Sequence, residues 1–176
     1  MNISNPVQYL ITFIFLLLLS ACGGDGSDGG SEQECEITPD QQEMLNQVNQ
    51  ARGSSRSCGD DAMPAVAELS WSCQLRGAAQ LHSNDMALVD FFSHTGSNGL
   101  SVGDRATASD YEWSSVGENI AAGQTTITQV MTGWLNSPGH CSNIMSARFT
   151  EFGSAVVITT ESEYSYYWTQ VFGSPR

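Results

Sequence analysis

Lysine is absent from this chain of 176 residues, and its six basic residues, all arginines, stand against 19 Asp and Glu residues. The formal net charge is therefore −13 at pH 7, and the arginines form no cluster. Long-range electrostatics should repel nucleic acid and anionic lipid headgroups. We expect no nucleic-acid partner.

Several signatures of catalytic and metal sites are also missing. No CxxC pair occurs, which argues against a structural zinc site, and no HExxH pair marks a metalloprotease helix. The glycine-rich segment "GENIAAG" lacks the lysine and the spacing of a phosphate-binding loop. Ser93 and Ser137 lie in no nucleophile signature and are interpreted as turn or cap serines. The sequence thus leaves enzymatic activity undecided.

No apolar run is long enough for a comfortable membrane span of roughly 20 residues. The longest run, from Tyr9 to Cys22, ends in small residues and predicts an export signal over residues 1–21. Its final Leu-Ser-Ala-Cys resembles the lipobox of bacterial lipoproteins, which implies that Cys22 carries lipid and becomes the mature N-terminus. The alternative, a buried helix starting at Tyr9, conflicts with the polar glycine tract that follows at once.

Residues 22–37 are predicted to form a lipidated, flexible tether. Gly23 to Glu34 combine glycine, serine and acids and cannot bury apolar surface. By resemblance to Gram-negative lipoproteins, Gly23 after the lipidated cysteine favours passage to the outer membrane. We therefore expect an exported protein held in the cell envelope through its lipid anchor.

Once Cys22 is assigned to the lipid, the chain retains an even number of cysteines. These are Cys35, Cys58, Cys73 and Cys141. In an oxidising compartment they predict two disulfides, for which three connectivities are possible.

The first half of the globular part reads as helical. Thr38 and the proline after it predict a helix start, and the helix should end near Arg52 with Gly53 in the left-handed conformation. Ser70 is predicted to cap a second helix whose apolar stripe includes His82. We interpret His82 as a core histidine that is hydrogen-bonded to a neighbour.

The second half changes from helical to strand patterns. A short helix is predicted at residues 102–108 and another from Ile127, stopped by Pro138 and Gly139. Two segments rich in β-branched and aromatic residues, starting at Phe152 and Tyr164, should pair as a hairpin. Helices first and strands last predict an α+β domain.

Three short segments place an imidazole or a carboxylate beside glycine or proline. They are "FFSHTG" with His94, "GENIAAG" with Glu118 and "WLNSPGHCSNIM" with His140. With "FTEFG" and "YWTQVFG", they resemble, in order, the bacterial branch of the CAP (SCP) superfamily, which includes cysteine-rich secretory proteins, antigen 5 and plant pathogenesis-related proteins.

The resemblance covers about residues 38–173. It implies an α-β-α sandwich with a small three-stranded antiparallel sheet between helical layers, the first strand containing residues 117–121. It also implies disulfides between Cys58 and Cys141 and between Cys35 and Cys73.

The resemblance further implies a cleft. His94 and Glu118 match two of the four cavity residues of eukaryotic members, whereas Tyr167 and Trp168 occupy the place of the second histidine, and Leu135 to Ser137 that of the second acid. His140 is the bacterial-branch histidine that could replace the missing imidazole. Two imidazoles and a carboxylate could hold zinc or another divalent ion, or could form a structural hydrogen-bond network.

Three functions are compatible with these observations. The favoured one is a lipid-anchored module of the cell envelope that binds a lipid, peptide, glycan or protein through the His94, Glu118 and His140 cleft. The alternatives are a metal-dependent hydrolase of envelope or extracellular substrates and a structural envelope protein with a vestigial cleft.

Overall fold

The computed structural model describes residues 35–176. The predicted signal peptide, Cys22 and the glycine-rich part of the tether lie outside the described residues. Between residues 35 and 176, no helix combines the length and the apolar character needed to cross a membrane.

Helices and strands alternate along the described part of the chain. The helices are α1 (Pro39–Arg52), α2 (Cys73–Val89), α3 (Val102–Ala108), α4 (Ile127–Asn136) and α5 (Pro138–Ile144). The strands are β1 (Arg56–Cys58), β2 (Asp61–Met63), β3 (Ser70–Trp71), β4 (Trp113–Ala122), β5 (Glu151–Ile158) and β6 (Tyr166–Pro175). The predicted short helix and the end of the first helix are confirmed.

The main sheet has the strand order β3-β5-β6-β4. Strands β4, β5 and β6 pair antiparallel, and β5 and β6 form the predicted hairpin. Residues 117–121 lie in β4, as the resemblance implies. Strand β3 adds two residues parallel to β5, and β1 and β2 form a separate small hairpin.

Helices cover both faces of this sheet. Helices α1, α4 and α5 share one apolar cluster with β5 and β6, centred on Trp134, Phe152 and Phe172. Helices α2 and α3 pack on the opposite face through Leu75, Ala78 and Ala106. The α-β-α sandwich is therefore confirmed.

Glycine allows α2 to lie very close to the sheet. A Cβ atom added to Gly153 in β5 would collide with the backbone of Leu75 and Arg76. Any side chain at this position would push α2 away from the strand, and with it the residues that α2 brings towards β4.

The predicted start of the second helix is wrong by two residues. Ser70 lies in β3, and Ser72 is the N-cap, its side chain accepting a hydrogen bond from the Leu75 N–H. The reason is tertiary, because the Ser70 N–H donates to the Thr150 carbonyl and the Ser72 N–H to that of Phe152, which keeps the segment extended.

Two further expectations need correction. Gly53 is right-handed, with φ −68°, because its N–H continues the helical pattern by donating to the Asn49 carbonyl. Residues 35–37, which were assigned to the tether, are attached to the domain, since Cys35 is bonded to Cys73 and Ile37 packs against the core.

The two disulfides are Cys35–Cys73 and Cys58–Cys141. This is the pairing that the resemblance implies. The second bridge ties the β1–β2 hairpin to α5, the helix that also carries His140.

Candidate functional site

Glu118 occupies the centre of the candidate site. It lies on β4, and its side chain is only 3% exposed. One carboxylate oxygen, Oε1, lies 2.8 Å from His94 Nδ1, and the other, Oε2, accepts a hydrogen bond of 2.7 Å from Arg105 Nη2. A buried carboxylate needs such partners, because burying a lone charge is costly.

Arg105 supplies the positive charge in this arrangement. It lies on α3 and is 4% exposed. Besides Glu118, its guanidinium donates to the carbonyls of Leu100, at 2.7 Å, and His94, at 3.0 Å. Arg105 therefore fastens the segment between His94 and Leu100 to β4.

Arg105 belongs to none of the sequence motifs, and its part in the site was not predicted. The sequence offered one signal for it, the scarcity of positive charge, since the chain has six arginines and 19 acids. Arg105 stands between the segments of His94 and Glu118, which makes it a candidate partner for the Glu118 carboxylate. The capping box of Ser101 and Asp104 fixes the start of α3 and thus where Arg105 falls on it.

His94 lies in the loop after α2, at the open side of the site. Its side chain is 58% exposed although one ring nitrogen contacts Glu118. The loop is held by a turn in which the Ser93 hydroxyl accepts from the Thr95 N–H, and by Asp85, which accepts from Ser97. The His94 ring therefore contacts both the buried Glu118 carboxylate and solvent.

His82 lies behind His94 and is fully buried on α2. Its Nε2 lies 2.8 Å from the Ser93 carbonyl, which confirms the predicted core histidine hydrogen-bonded to a neighbour. The same atom is 3.8 Å from Glu118 Oε1, a proximity that the sequence did not indicate. Burial lowers the pKa of His82, while the charge of Glu118 opposes this shift and that of Arg105 adds to it.

His140 lies on the first turn of α5, in the helix that Pro138 begins. Burial lowers the pKa of its imidazole, and the nearby His94 lowers it further. No hydrogen bond joins the His140 ring to Glu118 within residues 35–176. The structure therefore brings His140 near the pair of His94 and Glu118 without bonding it to the carboxylate.

Asparagine side chains connect α5 to β4. The Asn143 amide donates to the Glu118 carbonyl at 3.0 Å and to the Asn119 side chain at 2.9 Å. Asn119 in turn donates to the His140 carbonyl at 3.2 Å. These amides position the backbone around both Glu118 and His140.

A cavity of about 320 Å³ adjoins His140. Its walls are mainly apolar and aromatic, with a few polar groups. The lining residues are Phe92, Ile120, Ala121, Ala122, Gln124, Val130, Gly133, Trp134, Ser137, His140 and Tyr164. Such a volume accommodates a small organic group.

The residues present do not fit a divalent ion. Within the described range, no three His, Cys, Asp or Glu side chains are grouped so as to hold a metal. Both oxygens of Glu118 are already engaged, one of them by a guanidinium, which competes with a cation for the same charge. The expected metal set of His94, Glu118 and His140 is therefore not assembled.

The CAP: Cysteine-rich secretory protein family profile matches residues 45–172. The chain belongs to this family. An extracellular protein containing an SCP domain from Bacillus anthracis is similar in structure, with a TM-score of 0.61 and 27% identity over 79% of this chain and 44% of that one. An outer surface protein from Borrelia burgdorferi has the same fold, with a TM-score of 0.66 and 17% identity over 81% of this chain and 97% of that one.

A related sequence occurs in Bacillus subtilis (strain 168). The protein YkwD is 35% identical over 98 residues, which is 56% of this chain and 36% of YkwD. The match thus spans about a third of that relative's length.

Proposed function

We propose that this chain is an exported, lipid-anchored envelope protein whose CAP domain binds a ligand over the cleft formed by His94, Glu118 and His140. One observation carries the proposal: Glu118 is neutralised inside the protein by Arg105, while the imidazole that it orients is 58% exposed. Because both of its oxygens are engaged, the Glu118 carboxylate can orient the exposed His94 ring for ligand recognition but is poorly placed to act as a general base.

The placement of the serines supports binding over hydrolysis. A serine nucleophile requires a base within hydrogen-bonding reach. In residues 35–176, the hydroxyls of Ser93 and Ser137 form no hydrogen bond with a histidine, and the Ser93 hydroxyl accepts from a turn N–H.

Two observations support export. Disulfides persist in oxidising compartments, and the chain has two. The similar Bacillus anthracis protein is extracellular and the Borrelia protein is an outer surface protein. The Leu-Ser-Ala-Cys sequence before residue 23 supports the lipid anchor.

Site-specific photo-crosslinking in a bacterial host tests the binding function. In the full-length protein, a benzoylphenylalanine residue replaces either Phe92, which lines the cavity beside His140, or Leu81, which lies on α2 and does not line that cavity. The two positions are matched, being 50% and 49% exposed. We expect discrete adducts at position 92 only, reduced at least fivefold by His94→Ala at an unchanged melting temperature.

Equal adduct patterns at positions 92 and 81 would contradict the binding function. A marked loss of stability in His94→Ala without any change in adducts would favour the structural alternative with a vestigial cleft.

Zinc titration tests the hydrolase alternative. Because Glu118 is engaged by Arg105, we expect no stoichiometric zinc binding at micromolar concentration in calorimetry of the full-length protein. Binding of one zinc ion per chain that is lost in His94→Ala would contradict this expectation and restore the metal-dependent hydrolase as a candidate.

A further inference from the structure

The three histidines of this chain lie around one carboxylate. His94 Nδ1 is 2.8 Å and His82 Nε2 is 3.8 Å from Glu118 Oε1. His140 is close enough to His94 for the two imidazoles to influence each other's charge. Histidine is the side chain whose ordinary pKa, about 6.5, lies in the physiological range. The cleft therefore contains groups that respond to mild acid, and among them only His82 is fully buried.

The hydrogen bond of His82 determines its tautomer. Its Nε2 lies 2.8 Å from the Ser93 carbonyl. A carbonyl oxygen only accepts, so Nε2 carries the hydrogen and Nδ1 of the neutral ring presents a lone pair. Nδ1 is buried, and no group among residues 35–176 forms a hydrogen bond with it. The closed structure thus holds the neutral form of His82.

Protonation of His82 would place an N–H donor and a positive charge where nothing accepts them. A buried donor without a partner costs its full desolvation, and a charged one costs more. Glu118 on β4 and Asp85 on α2 attract the charge, Arg105 on α3 repels it, and burial is the largest influence. The pKa of His82 is consequently lowered. The protonated ring gains stability only if its surroundings move.

Helix α2 is too firmly packed to be the part that moves. Leu75, Ala79 and Met86 on this helix are 0% exposed. A side chain at Gly153 of β5 would collide with the helix backbone, so α2 lies directly on the strand. The loop that follows α2 is less constrained, because most of residues 92–100 are exposed. Displacing the loop therefore costs less than displacing the helix.

Different contacts hold the two parts of this loop. In its later part, Asp85 accepts from the N–H and the hydroxyl of Ser97, at 2.8 and 2.6 Å. Its earlier part depends on the bond from His82 to the Ser93 carbonyl and on the bond from Arg105 to the next carbonyl along the chain. A positive charge on His82 also repels Arg105. Protonation thus weakens the earlier part and leaves Ser97 anchored.

We propose that His82 is a pH switch for the cleft: the neutral ring holds the Ser93 carbonyl and keeps His94 at Glu118, and the protonated ring releases this part of the loop. The inference rests on the proposed binding function and names the regulation of its site. The closed loop is stabilised above about pH 6.5, the ordinary pKa of histidine in the open loop. This stabilisation is lost as the pH falls towards the lowered pKa of the closed form.

The state of His82 is measured first in the wild type, without any substitution. Nitrogen-15 NMR of the imidazoles in the full-length protein distinguishes the two neutral tautomers and follows the titration of each histidine. We expect His82 to have its hydrogen on Nε2 and a midpoint below about pH 6.5. A hydrogen on Nδ1, or a midpoint at or above that pH, would overturn the proposal.

Fluorine NMR then follows the loop. A 4-fluorophenylalanine residue replaces either Phe92, next to Ser93, or Leu81 on α2, which is matched in exposure at 49% against 50%. We expect the signal at position 92 to shift with the midpoint of His82, and the signal at position 81 to stay unchanged. His82→Gln, which keeps an N–H donor and does not titrate, should abolish the shift.

His140→Gln is the control for the other titrating groups and should preserve the shift at position 92. If the shift arises from His94 or His140, it survives in His82→Gln, and the proposal is then wrong.

Photo-crosslinking at position 92, repeated in cells held at pH 7.5 and 5.5, connects the switch to binding. We expect the adducts of the wild type to decrease by up to about tenfold per pH unit, and those of His82→Gln to decrease less. Adducts whose yield does not depend on pH would overturn the switch and leave the binding function intact. A fluorine shift that follows His82 without adducts at either pH would contradict the binding function and leave the switch as a property of the loop.

Discussion

At the scale of single residues, the main electrostatic interaction of the site is the buried salt bridge between Arg105 and Glu118. Both side chains are at least 96% buried, and their closest atoms are 2.7 Å apart. Removing one partner of such a pair leaves an uncompensated buried charge, which costs about 3–5 kcal/mol.

We therefore expect Arg105→Leu to lower the free energy of unfolding by about 3–5 kcal/mol in urea titrations. The double variant Arg105→Leu/Glu118→Gln should lose less than the sum of the two single variants, because it removes both charges. Additive losses would show that the two side chains act independently. Arg148→Leu, at an arginine without an ion pair among the described residues, serves as the control.

A second prediction at this scale concerns the pH dependence of stability. The pKa of buried His82 is lowered in the folded state, so the unfolded chain binds more protons below about pH 6.5. His82 therefore contributes stability above its unfolded pKa, and this stability is lost as pH falls towards the folded pKa.

Between the two pKa values of His82, its contribution should fall by up to about 1.4 kcal/mol per pH unit. We expect urea unfolding of His82→Gln to depend less on pH between 7 and 5 than that of the wild type. An unchanged slope would mean that protonation of His82 does not control acid stability. The charges facing His82 are Glu118, Arg105 and Asp85, and they are the same in both proteins.

At the scale of elements, the disulfide Cys58–Cys141 holds α5 to the β1–β2 hairpin. It closes a separation of 83 residues. In the chain-entropy model, a disulfide that closes a loop of that length stabilises the fold by about 4–5 kcal/mol, because it restricts the unfolded chain.

We expect the Cys58→Ser/Cys141→Ser variant to unfold at a lower urea concentration, with a loss of about 4 kcal/mol. Non-reducing peptide mapping of the wild type should recover Cys58 joined to Cys141. A peptide that joins Cys58 to Cys73 would contradict this connectivity.

The elements also show how far the sequence predicts the fold. Local signals sufficed where one segment determines its own shape, as in the capping box at Thr38, the seven residues of α3 and the alternation in β5 and β6. Ser70 was misassigned because two hydrogen bonds to the remote segment 150–152 hold it in a strand.

The same division applies to the candidate site. His94 and Glu118 were recognised from short motifs, and the structure places them 2.8 Å apart. Arg105 lies in no motif, and its role arises only when α3 is packed against β4. Burial of His82 beside Glu118 is likewise a property of the assembled sandwich.

At the scale of the whole molecule, the proposed lipid anchor would hold the acidic domain at a membrane. Cys22 lies outside the described residues, and Cys35 is the first cysteine fixed to the fold. Twelve residues from Gly23 to Glu34 thus separate the predicted lipid from the domain.

We expect wild-type protein produced in a bacterial host to incorporate labelled palmitate and to sediment with membranes. Cys22→Ser should incorporate no label and appear as a released or unprocessed species. Cys35→Ser is the matched control, because it removes a cysteine of the disulfide framework and should leave the label in place. Absence of label from the wild type would contradict the anchor, and an exported protein without lipid would then require another route to the envelope.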